Sequence, residues 1–190
     1  MPRIFVIGGP NGAGKTTAAD GLLPEILECE EYVNADAIAK ALSPFAPERA
    51  AFKAGRLMLE EIHKLAEARR NFAFETTMAS RSFVPFLRQC RLKGYEVRLV
   101  FLWLTSVRLA QSRVADRVRT GGHNIPKEVI KRRYRAGIRN FLRLYVPHAD
   151  QWVVYDNSGD DPNLVARSMP DGKLELHDPT AWRKILTAAG

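Results

Sequence analysis

Short apolar runs alternate with amphipathic stretches along most of the chain. Residues 3–7, Arg-Ile-Phe-Val-Ile, have the near-continuous apolar character of a strand covered on both faces, and residues 16–23, after an intervening glycine-rich loop, have helical spacing. Pro24 breaks that helix, residues 28–31 form a polar link, and residues 32–34 read as a second short strand with Asp36 just past its end. Beyond the break at Ser43-Pro44-Phe45-Ala46-Pro47, the apolar positions Ala51, Ala54, Leu57, Met58, Ile62, Leu65 and Ala66 recur at helical intervals. They predict one long amphipathic helix over 48–70. A strand over 71–77, a helix over 82–93 stopped by Gly94, and a strand over 95–104 follow. The last is the most β-like run in the chain, so it is expected at the centre of a sheet with Phe101 and Trp103 in the core. Helices over 106–119 and 126–145 flank a loop over 120–124. A strand covers 151–155, and the tail holds a short strand over 173–176 and a helix from Thr180.

Strand and helix alternate as far as Gly159, which argues for a mostly parallel sheet covered on both faces. No repeat, low-complexity tract or shift in composition divides the 190 residues. The expectation is a single domain over 1–190, with its core in 1–159 and a peripheral segment over 160–190. A chain of this length buries a core without metal or disulfide staples. Cys29 and Cys90 have neither redox nor zinc-ligand spacing, which points to a reducing, cytoplasmic setting. A single Arg before a five-residue apolar strand is not a secretory signal, and no apolar run reaches the length of a membrane span.

The glycine-rich loop carries the first chemistry. Gly9, Pro10, Asn11, Gly12, Ala13, Gly14, Lys15 and Thr16 fit the phosphate-loop pattern G-x-x-x-x-G-K-[ST] at every fixed position, and Thr17 continues into the helix. Glycines let successive N–H groups turn toward one anion, and the helix N-terminus adds its partial positive charge. Lys15 is then expected on the β- and γ-phosphates of ATP and the Thr16 hydroxyl on Mg²⁺. Because this loop opens the chain, the α/β sandwich should be of the three-layer P-loop kinase type.

The net charge of +8 and a pI near 9.8 call for polyanionic partners. Much of the excess lies between Val107 and Tyr145, where arginine dominates. Arg117 and Arg119 precede Gly121-Gly122 and Arg132 and Arg133 follow it. A helix, a glycine hinge and a helix with arginines on both sides describe a helical lid over a phosphate site; part of the run is equally a solvated helix face. His123 in that loop reads as a hydrogen-bonding residue rather than a catalyst. The arginines are not interleaved with a stacking-aromatic series, which argues against nucleic acid as the partner.

Two carboxylates stand at predicted strand exits. Asp36 is placed either to meet an acceptor hydroxyl or to cap a helix beginning at Ala37, and Glu75 either to touch the water shell of Mg²⁺ or a substrate hydroxyl or to make a structural hydrogen bond. The central strand ends in Leu104-Thr105-Ser106 with no acidic residue, unlike the P-loop proteins in which an Asp there holds the metal. Asn157, in the turn after the last core strand, is expected beside the nucleotide.

The ordered set of Gly8 to Thr17, Asn34-Ala35-Asp36, Phe74-Glu75-Thr76-Thr77, the Arg113 to Tyr134 segment with Gly121-Gly122-His123, and Tyr155-Asp156-Asn157-Ser158 resembles the zeta-toxin-like P-loop kinases over residues 3–159. Members phosphorylate the 3′-hydroxyl of the amino sugar of UDP-N-acetylglucosamine with ATP and pair with an antitoxin protein. The resemblance implies Asp36 as the base, Lys15 as the phosphate-binding lysine, Glu75 and Thr76 with Arg119 at the substrate, and Arg117 and Arg133 on the transferring phosphate. Ala35 stands where the family often has Pro, and the chain is shorter than the longer toxins. Both departures bear on the acceptor more than on the phosphoryl chemistry; other hydroxyl acceptors are an antibiotic, a sugar acid or a polynucleotide 5′ end.

Overall fold

The computed structural model describes residues 1–22, 29–122 and 124–190. The expected helix end at Leu23 and Pro24, the start of the polar link at Glu28, and His123 lie outside the described residues. The elements in chain order are β1 (Arg3–Gly8), α1 (Lys15–Leu22), β2 (Tyr32–Val33), α2 (Ala35–Leu42), α3 (Pro47–Glu67), β3 (Phe72–Thr76), α4 (Phe83–Leu92), β4 (Glu96–Trp103), α5 (Val107–Arg119), α6 (Lys127–Asn140), β5 (Gln151–Asp156), β6 (Asn163–Ser168), β7 (Leu174–Leu176) and α7 (Pro179–Ala189). Among the described residues one sheet runs β2-β3-β1-β4-β5-β6-β7, parallel from β2 to β5 and antiparallel at β6 and β7.

The register follows from alternation along β1. Ile4 and Val6 join the main core with Met58 and Ile62 of α3 and Leu87 of α4, whereas Phe5 and Ile7 join a second cluster with Ala19 of α1. A strand buried on both faces in this way needs helices above and below it, which gives the three layers. β4 lies beside β1, and Phe101 and Trp103 are buried there as expected. Because β3 and β4 flank β1 while the chain reaches them by opposite turns of the topology, the carboxyl end of β1 opens at the switch point of the sheet.

Two details depart from the expectations, one at Asn163–Ser168 and one on α3. Asn163–Ser168 forms a strand that the pattern does not announce, since its run of apolar residues is short and it follows Asp160-Asp161-Pro162. Residues 160–190 extend the sheet by two strands and return α7 against it, with Ile185 buried and Trp182 stacked on Trp152 at 5.6 Å. On α3 the buried face is Ala50, Ala54, Met58, Ile62 and Leu65, so Ala51 points instead into the cleft described below.

The helix expected to act as a lid is anchored along its length. The Tyr134 hydroxyl donates to the Leu104 carbonyl at 2.6 Å. The Asn140 amide donates to the Met78 and Ala79 carbonyls at 2.9 and 3.0 Å, and the Tyr145 hydroxyl donates to the Ser80 carbonyl at 2.7 Å. A π-helical turn over Phe141–Tyr145 continues α6 and places that last hydroxyl. These bonds hold the connection after β3, where Met78 takes a left-handed φ of 55° and packs over Gly8. Asn140 is 3% exposed. Asn140→Ala is expected to lower the unfolding free energy by about 2 kcal/mol, because two buried carbonyls lose their donor; urea denaturation checks this.

Candidate active site

The loop between β1 and α1 is built around backbone conformations that only glycine adopts at ease. Gly12 has a φ of +82° and sits so close to α5 that a Cβ would meet the Ala110 carbonyl at 3.0 Å; Gly14 has a φ of +75°, and a Cβ there would lie 2.9 Å from the Asn157 amide. The Ala13 N–H donates to the Pro10 carbonyl at 3.2 Å, which closes the turn. Gly9, Pro10 and Ala13 contribute backbone here, not cleft-lining side chains; Ala13 is fully buried. Lys15 opens α1, is 7% exposed, and donates from Nζ to the Pro10 carbonyl at 3.1 Å. Asn11 is buried beside it, and its Oδ1 has no hydrogen-bond partner among the described residues.

The loop opens into a cleft of about 740 Å³. Gly12, Gly14, Lys15, Thr16 and Thr17 form its floor, and Glu75, Thr76 and Thr77 at the end of β3 form one wall. Ala51, Phe52, Gly55 and Arg56 of α3 face them, with Asp36 at the start of α2. Parallel pairing of β3 with β1 sets Glu75 level with Ile7 and Thr76 level with Gly8, which is why a carboxylate lies beside the phosphate loop although β4 ends without one. Glu75 Oε2 accepts from the Thr16 hydroxyl at 2.9 Å and from the Tyr32 hydroxyl at 2.6 Å. Thr76 uses its hydroxyl to accept from the Met78 N–H at 3.0 Å.

The capping reading of Asp36 is corrected. Asn34 is the N-cap of α2, its Oδ1 accepting from the Asp36 and Ala37 N–H groups at 2.8 and 3.2 Å, so the helix starts two residues earlier than Ala37. Asp36 is therefore left exposed in the first turn, on the cleft.

The arginines divide. Arg117 at the end of α5 and Arg133 on α6 both line the cleft. Arg119 does not: it is exposed and pairs with Asp116, so the geometry makes no acceptor contact for it. Arg113 lies one turn before Arg117 on the same face of α5, a spacing that could have drawn attention to it, and it lines the cleft as well. Its guanidinium donates to the Asn157, Ser158 and Gly159 carbonyls at 2.6, 3.0 and 3.2 Å. Asn157 in turn donates from Nδ2 to the Ala13 carbonyl at 2.7 Å, so the turn after β5 is strapped to the phosphate loop. Phe52 and Arg56 also line the cleft and Tyr32 backs Glu75, and none of the three carries a motif signal.

Burial holds the Lys15 ammonium below the ordinary lysine pKa; the Glu75 and then the Asp36 carboxylates push it back up, and Arg117 and Arg133 push it down. Burial, reinforced by Glu75, pushes the Tyr32 phenol well above its ordinary range, so it remains a donor. Among the described residues no three His, Cys, Asp or Glu side chains gather as a metal cage. A hydroxyl with one carboxylate beside it nonetheless suits Mg²⁺, which keeps several waters and takes its other ligands from phosphates. Lys15→Met is expected to abolish nucleotide binding and to raise the unfolding free energy by roughly 1–2 kcal/mol, since a buried ammonium with one carbonyl partner is replaced by an apolar side chain. Thermal denaturation with and without ADP separates the two effects.

An uncharacterized protein of Haemophilus influenzae is 27% identical over 126 residues, which are 66% of this chain and 88% of that protein. Among solved structures, the AvrRxo1-ORF1:AvrRxo1-ORF2 complex with sulphate ions contains a chain that superimposes with a TM-score of 0.79 at 15% identity. The match covers 97% of this chain and 63% of that one, and the same complex with ATP gives 0.77 at 16%. A chain of the PezAT chromosomal toxin–antitoxin system of Streptococcus pneumoniae gives 0.64 at 16%, over 100% of this chain and 84% of that one. At these identities the structures share the fold, and this chain spans less than two thirds of its AvrRxo1 counterpart. The family model for zeta toxin matches residues 1–164, from the first strand through the turn that straps the phosphate loop, and the chain belongs to the zeta toxin family.

Proposed function

We propose that this chain is an ATP-dependent kinase that transfers the γ-phosphate to a hydroxyl of a small molecule, a nucleotide sugar such as UDP-N-acetylglucosamine. The observation that carries the reading is the grouping of Lys15, Asp36, Glu75, Arg117 and Arg133 at one cleft on the phosphate loop, close enough for all four partners to act on the Lys15 charge. Family membership and the ATP in the AvrRxo1 complex support it. A cleft of about 740 Å³ with two opposed walls suits two substrates, a nucleotide and an acceptor.

Each residue then has a role. The loop N–H groups and Lys15 bind the phosphates, with Thr16 toward Mg²⁺, which when bound neutralises charge between the β- and γ-phosphates. Asp36 orients the acceptor hydroxyl in line with the γ-phosphorus. As the new O–P bond forms and the bond to the β–γ bridging oxygen breaks, the hydroxyl proton passes to Asp36 and ADP leaves. Arg117 and Arg133 face the transferring phosphoryl group, while Glu75 holds the Thr16 hydroxyl on the donor side and Thr76, whose hydroxyl is taken by the Met78 N–H, adds to the wall of the pocket. Catalysis is positioning and charge stabilisation, so a single arginine is worth on the order of 10³-fold in rate.

The expected biological setting is the cytoplasm. A partner protein acting as antitoxin fits a family whose Streptococcus pneumoniae relative is a toxin–antitoxin system. One observation favours a second reading, a nucleic-acid-dependent NTPase: Lys131, Arg132, Arg135 and Arg139 line a shallow basic surface on α6 outside the cleft. Incubation with γ-labelled ATP and a panel of nucleotide sugars, sugar acids, antibiotics and oligonucleotides tests both. Label on a nucleotide sugar supports the proposal, whereas turnover stimulated only by nucleic acid replaces it. Asp36→Ala is expected to lose at least 10²-fold in transfer while ADP affinity stays within about twofold of the parent protein; a fully active variant removes Asp36 as the base.

A further inference from the structure

Asn34 is buried, 6% exposed, and uses every hydrogen-bonding position of its side chain. The carbonyl end accepts the two N–H groups that begin α2. The amide end donates to the Thr16 hydroxyl at 3.4 Å and to the Tyr32 hydroxyl at 3.3 Å. Two N–H donors on one side and two oxygens on the other allow one orientation of the amide, because the flipped form would oppose donor to donor.

The consequence falls on Thr16. A threonine hydroxyl has one proton and two lone pairs. Its proton goes to Glu75 Oε2 at 2.9 Å, and one lone pair faces the Asn34 amide. A single lone pair remains, and a neutral hydroxyl can bind a cation only through a lone pair. Tyr32 completes the ring by donating to the same Glu75 oxygen at 2.6 Å, which fixes the carboxylate that takes the Thr16 proton. Without the amide and the phenol, the hydroxyl could turn its proton toward the cation and lose its use as a ligand.

We infer that Asn34 is a positioning residue that, with Tyr32, fixes the Thr16 hydroxyl with its lone pair free for Mg²⁺ while its other end starts the helix carrying Asp36. The inference rests on the kinase reading, since it concerns the cation of a Mg²⁺–nucleotide complex. It makes Asn34 the joint between the donor and acceptor halves of the cleft. Outer partners of this kind typically change metal affinity by roughly 10–100-fold when removed.

The test uses Asn34→Ser, because serine caps a helix about as well as asparagine yet is too short to reach Thr16 and adds no charge. ADP binding is measured by titration calorimetry with Mg²⁺ and with EDTA. The parent protein is expected to bind ADP more tightly with Mg²⁺. In Asn34→Ser that gain should fall roughly tenfold, with the Mg²⁺-free affinity and the melting temperature close to those of the parent. Tyr32→Phe, which keeps the ring and removes the hydroxyl, should lose part of the same gain. An undiminished Mg²⁺ gain in both variants overturns the inference and leaves the kinase reading standing. A loss that is equal with Mg²⁺ and with EDTA, or a large drop in melting temperature, also overturns it, since Asn34 would then act only as a cap. Absence of ADP binding by the parent protein removes both readings.

Discussion

A loop that turns its N–H groups inward toward an anion must turn carbonyls outward, and those carbonyls need donors if they are buried. Here the donors come both from the loop itself and from a distant part of the chain. The Ala13 carbonyl takes the Asn157 amide, 144 residues away, and the Pro10 carbonyl takes the Ala13 N–H and the Lys15 ammonium. Arg113 then holds the turn that carries Asn157. The phosphate loop thus depends on α5 and on the turn after β5.

The second constraint is the placement of charge. Lys15 is buried where desolvation disfavours its charged form, and the carboxylates that favour it, Glu75 and Asp36, enter from β3 and α2. Under the proposed kinase reading this cost is carried in the free state, and the expected stabilisation of a Lys15 variant is the reverse side of it. Glu75 also explains how a chain with no acid at the end of its central strand can still place a carboxylate beside the Thr16 hydroxyl. Parallel pairing places that carboxylate on β3, which flanks β1 on the side opposite β4.

Arg133 differs from a mobile finger in how it is delivered. It belongs to a helix tied to the backbone at Leu104, Met78, Ala79 and Ser80, whereas Arg117 lies at the end of α5, where Gly121 and Gly122 fold back on the Val118 and Arg117 carbonyls. The arrangement pairs an arginine on an anchored helix with one beside a glycine turn.

Several features follow from the sequence by itself, because they are local. The fixed residues of the phosphate loop define its chemistry. The near-continuous apolar runs at 3–7 and 95–104 define strands buried on both faces, and the order of motifs from Gly8 to Ser158 carries the family. Other features are decided only by tertiary structure. Strand pairing places Glu75 on Thr16, and the competition between Asn34 and Asp36 for the cap is settled by which side chain reaches the first N–H groups of α2. Spacing allows the i,i+3 pairing of Arg119 with Asp116, but the binding of backbone carbonyls after β5 by Arg113 spans 44 residues or more and is decided by the fold. The strand at Asn163–Ser168 likewise exists because β5 offers it an open edge, which no short apolar run announces on its own.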